Sequence, residues 1–84
     1  MRFECKRSDS ATKWYDINLM PLNEDNFAVI VSYGVRGAGG EESVLQPATD
    51  TFIGAYLDAL DAINKKVQDR LSLGYVKTEP KQNE

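Results

Sequence analysis

The hydrophobic period changes once along this chain, and that change limits the fold more than any other feature. Up to Tyr33 apolar residues alternate with polar ones, whereas from Asp50 to Leu73 they return at every third or fourth position. Alternation sends side chains to the two faces of a strand; a spacing of three to four draws one stripe along a helix. With 84 residues there is room for one hydrophobic core, because a chain this short buries too little surface to divide it. Strands and helix must therefore share that core.

In the strand half, Arg2 to Arg7 puts Phe3 and Cys5 on one side and Arg2, Glu4 and Lys6 on the other. The small polar run Ser8 to Thr12 predicts a hairpin loop. From Lys13 to Leu19, Tyr15, Ile17 and Leu19 face one way and Trp14, Asp16 and Asn18 the other, and Leu22 to Asn26 predicts a reversal. Phe27 to Tyr33 is β-branched and aromatic and reads as the central strand, with Phe27, Val29, Val31 and Tyr33 on one face. A glycine-rich loop from Gly34 to Gly40 then leads into a fourth strand, Glu41 to Gln46, which Pro47 is expected to end.

In the helical half the stripe is Ile53, Tyr56, Leu60, Ile63, Val67 and Leu71. Thr49, Asp50 or Thr51 can cap its start, Gly74 suits the position after its end, and Gly54 falls inside it as a point of close packing. Asp58, Lys65, Lys66 and Asp69 fall off the stripe and need only be solvated. Tyr75-Val76-Lys77 can add an edge strand. The expectation is one α+β domain over residues 1–77: a twisted antiparallel sheet of four to five short strands with one long C-terminal helix on one face. Residues 78–84 are expected to be a disordered tail.

The chain has no histidine and one cysteine, Cys5. An intramolecular disulfide and the usual Cys/His zinc sets are therefore excluded, and the commonest general base near neutral pH is missing. A noncatalytic protein of a reducing compartment, the cytoplasm, is the expectation. The longest apolar stretch, Phe27 to Val31, is too short to cross a bilayer. The net charge is −3, with five basic and five acidic residues up to position 40 but five and eight beyond it. A surface for DNA or RNA is thus expected on the sheet half, and a basic protein partner is the alternative.

Candidate contact residues follow from the loop and its neighbours. Backbone amides around Gly34 and Gly37 can form a nest for phosphate oxygens, assisted by the Arg36 guanidinium; the plain alternative is a flexible hairpin with Arg36 in solvent. The loop matches neither nucleotide-binding glycine fingerprint, so no small-molecule cofactor is expected. Trp14, next to Lys13, reads either as a stacking platform or, as the favoured alternative, as a packing residue.

The order of these segments resembles the WGR domain of poly(ADP-ribose) polymerases and of stand-alone or fused bacterial proteins. The likeness is carried by Lys13-Trp14-Tyr15-Asp16-Ile17, by Phe27 to Gly34, by the glycine loop and helix, and by Leu73-Gly74-Tyr75-Val76. The signature Trp-Gly-Arg falls on Tyr33-Gly34-Val35 and is followed by Arg36-Gly37, so an aromatic residue and the glycines remain while the arginine is displaced by one position. The resemblance implies a DNA-contacting module in which Tyr33 packs near a sugar and Arg36 supports phosphate contact. It implies no polymerase activity.

Overall fold

The computed structural model describes residues 1–7 and 11–78. Five strands and a helix follow one another as β1 (Arg2–Lys6), β2 (Thr12–Pro21), β3 (Phe27–Arg36), β4 (Glu42–Gly54), α1 (Tyr56–Ser72) and β5 (Val76–Thr78). The strands form one antiparallel sheet in the order β4-β3-β2-β1-β5. The expected α+β class is thus met, with a helix of 17 residues on the sheet. No helix among the described residues is long and apolar enough to cross a membrane. The tail expected over residues 78–84 is corrected at Thr78, which pairs opposite Arg2 as the last residue of β5; the rest of it and most of the expected turn after Arg7 lie outside the described residues. The flanks of that turn are joined by the Arg7 N–H donating to the Ala11 carbonyl at 2.7 Å.

The alternation read in the strands sets the two faces. Phe3, Ile17, Val29 and Val31 form the buried floor, and Ala59 and Ile63 of α1 pack on it together with Tyr75. Ala59 lets the helix approach the sheet closely, and Phe27 meets Tyr56 with ring centroids 5.1 Å apart. The turn at residues 22–26 forms as expected: the Asn23 side-chain oxygen accepts from the Asp25 and Asn26 amides, the local bonding that makes asparagine a turn residue.

Three further expectations are corrected. The helix does not begin near Asp50, because residues 50–54 complete β4: Asp50 lies opposite Ile30, Phe52 opposite Val29 and Gly54 opposite Phe27. Ile53 matches the helical stripe only by its spacing from Tyr56, while Thr51-Phe52-Ile53 is β-branched and aromatic and finds partners in β3. Gly54 therefore lies outside the helix, and Ala55 stands at the N-cap without a side-chain cap. Pro47 does not end the fourth strand. Gln46 faces Tyr33 and Thr49 faces Val31, so one extra residue bulges out at the proline; as β4 is an edge strand, the missing N–H interrupts no second ladder. The glycine loop is shorter than expected, because β3 runs on through Gly34 to Arg36 and the turn is confined to residues 37–41.

Candidate functional site

The sheet face away from α1 carries a closed charge network. Arg2 bonds Asp16 through two nitrogens at 2.7 and 2.8 Å and reaches Glu42 at 2.9 Å. Arg36 grips both carboxylate oxygens of Glu4 at 2.9 Å and meets Glu42 at 3.2 Å. These bonds raise both guanidinium pKa values, and they hold the Glu4 carboxyl below the usual range despite the opposing effect of burial. Under the network lies Trp14, 3% exposed, with the Arg2 guanidinium 4.6 Å from its ring centre. Gly34, directly across from Trp14, makes the space: a Cβ there would stand 2.6 Å from the indole Cζ2 and would strike the Ser43 carbonyl oxygen. The Trp14 Nε1–H has no hydrogen-bond partner among the described residues.

The helix-side face is different. Tyr15 and Tyr33 are direct cross-strand partners, and their rings stack with centroids 5.9 Å apart and planes 5° from parallel. Tyr75 meets Tyr15 edge-on at 6.4 Å. Gly74, at φ +95°, turns the chain after α1, and the Tyr75 amide donates back to the Arg70 carbonyl; this returns the tyrosine beneath the helix. Arg70, in the last turn of α1, lays its guanidinium 4.5 Å from the Tyr15 ring centre and 5.3 Å from that of Tyr75. Burial raises the Tyr15 phenol pKa, whereas Tyr33 remains 40% exposed.

Beside this aromatic group is a cavity of about 330 Å³. Four sequence-predicted residues line it, Lys13, Trp14, Tyr33 and Gly34, together with Tyr15, Tyr75, Arg70 and Leu45. Trp14 enters as a wall sealed between Arg2 and Gly34, in line with the favoured packing reading, and offers no free ring face. Arg36 and Gly37 are not brought to the cavity. Arg36 is engaged on the other face, and the turn's amides are used locally: Gly37 donates to the Glu41 carbonyl at 2.9 Å and Gly40 to that of Gly37 at 3.0 Å.

A second cavity, of about 360 Å³, opens between α1 and β4 and shares Tyr15 with the first. Lys65, Lys66 and Asp69 line it from the helix, and Thr51 and Phe52 from the strand. Among the described residues, four basic side chains line these cavities and Asp69 is the only acidic one. Lys65 pairs with Asp61 at 3.3 Å and Arg70 with Asp69 at 2.7 Å. Lys13 and Lys66 make no ion pair among the described residues. A protein of net charge −3 thus presents one cationic groove floored by aromatic rings, which can stack a flat ring and neutralise an anion.

Sequence reading missed these residues: Tyr15 had a sufficient explanation as a core-facing strand residue, Tyr75 as part of an edge strand and Lys65 and Lys66 as solvated surface, and Arg70 was not singled out. The available signal was Gly74-Tyr75 directly after an arginine-bearing last turn. The chain matches no known protein family, no curated protein and no solved structure.

Proposed function

We propose that this chain is a noncatalytic binding module that contacts nucleic acid through the cationic aromatic groove beside α1. One observation carries the reading: Lys13 and Arg70 share a cavity with exposed Tyr33, and Lys65 and Lys66 line the adjoining one, in a protein of net charge −3. Stacking on an aromatic face tolerates any base, and neighbouring ammonium or guanidinium groups supply the phosphate contact. In this arrangement Tyr33 stacks on a base or packs on a sugar, and Lys13 and Arg70 face the backbone. The likeness to WGR domains is part of the same proposal. Its support is a helix on one face of an antiparallel sheet, with Gly74-Tyr75 directly after it; against the expected roles, Arg36 serves the other face.

The test is an anisotropy titration with single-stranded, blunt, nicked and 5′-phosphorylated duplex DNA at low and physiological salt, read in parallel by the emission of Trp14, the only tryptophan. Binding is expected to weaken as salt rises. Tyr33→Ala should lower affinity about 5- to 100-fold, which corresponds to the loss of one stacked base, while Arg36→Ala leaves the salt slope unchanged. Absence of binding to every probe at low salt would remove the proposal.

A protein partner is the second reading, favoured by the helix-free face. There Met20, Ala28 and Ile53 lie side by side across three strands, and Met20 and Ile53 are about half exposed. Acidic Asp50, Glu24 and Asp25 are near this apolar row in sequence, which suits a basic partner. Ile53→Lys is expected to break such a complex and leave the groove untouched.

A further inference from the structure

The two cavities share Tyr15 and repeat one set of parts. The first offers the Tyr33 ring beside Lys13; the second offers the Phe52 ring beside Lys66. Helix positions 62, 65, 66, 69 and 70 recur at three- and four-residue intervals, so they form one flank of α1 along the groove. Lys66 and Arg70 are one turn, about 6 Å, apart along the axis, a separation comparable with that of successive phosphates in an extended strand. Each cavity is at the small end of ligand-site volumes, which suits one ring rather than a base pair. In a duplex the ring faces are stacked on their neighbours, so aromatic platforms reach only unpaired bases or helix ends.

Phe52 lies opposite Val29, four residues and about 13 Å along β3 from Tyr33. We infer, on the basis of the nucleic-acid reading above, that the groove takes a single strand with at least three consecutive unpaired nucleotides. One base stacks at Tyr33 and the next but one at Phe52. Lys13 and Lys66 each face a phosphate near the two ends, and Arg70, beside Tyr15 between the two positions, faces the phosphate of the middle nucleotide. Bound in this way, the strand runs along α1 on the β4 side, and the helix-free face is not used.

The experiment compares a fluorescein-labelled single-stranded dodecamer of mixed sequence with its own blunt duplex, using the full chain and anisotropy as a function of salt. The single strand should bind at least about 10-fold more tightly, the difference expected from one or more stacked bases. Lys66→Gln should reduce the slope of log affinity against log salt by about 0.7, the value for one phosphate of a single strand. Phe52→Leu should weaken binding about 5-fold or more; as Phe52 also touches the core, its melting temperature is measured alongside, and Lys66→Gln supplies the readout that does not depend on packing. A duplex that binds as well as the single strand, or a Lys66→Gln slope equal to that of the parent, overturns the inference while leaving nucleic-acid binding in place. Loss of binding to both probes overturns the two together.

Discussion

Gly34 shows how one position shapes both faces of the sheet. Its missing side chain makes room for the indole of Trp14 and for the Ser43 carbonyl where β4 bulges. Gly34→Ala is expected to cost about 3 kcal/mol or to abolish folding, since the atoms it would strike are backbone and a locked ring; urea unfolding measures this directly. Glu4 gives a second prediction. Its carboxyl is held below the usual range chiefly by the two bonds from Arg36, so its folded-state pKa is lower than its unfolded one. The stability it contributes is present above the unfolded carboxylate pKa and is lost as pH falls through the folded value. Glu4→Gln should cost about 1 kcal/mol near neutrality, and the difference from the parent should vanish in acid, as chemical denaturation across a pH series will show.

At the scale of elements, the strand faces were legible because alternation is a local rule: Phe3, Tyr15, Ile17, Val29 and Val31 all lie where it puts them. The start of α1 was not, because Asp50 to Ile53 fits a helical stripe as well as a strand and only its pairing with β3 decides. Likewise, the groove joins Lys13, Tyr33, Phe52, Lys66 and Arg70 from four elements, and no spacing within one segment announces such a meeting. Two predictions belong here. Ala55 leaves α1 without a side-chain cap, so Ala55→Asp should stabilise the protein by about 1 kcal/mol in thermal or urea unfolding. β4 has 13 residues against ten in β3, and three register shifts absorb the difference. Bulges and a proline discourage pairing at an open edge. Pro47→Val should therefore increase self-association, as measured by sedimentation or light scattering at rising concentration.

At the scale of the molecule, the groove gathers four of the described cations, two of them paired with Asp61 and Asp69, and Asp69 is the only described carboxylate that lines it. Steering of a polyanion should therefore depend on orientation, and the association rate should fall steeply with ionic strength. The strand order has a kinetic consequence. β5 binds only β1, with Arg2 opposite Thr78, so the sheet's last seam joins segments at opposite ends of the described chain. Such a closure pays the largest loop entropy and has only three residues to repay it. It should zip last during refolding and release first under load, and pulse-labelled amide exchange at Val76 and Lys77 would time both events.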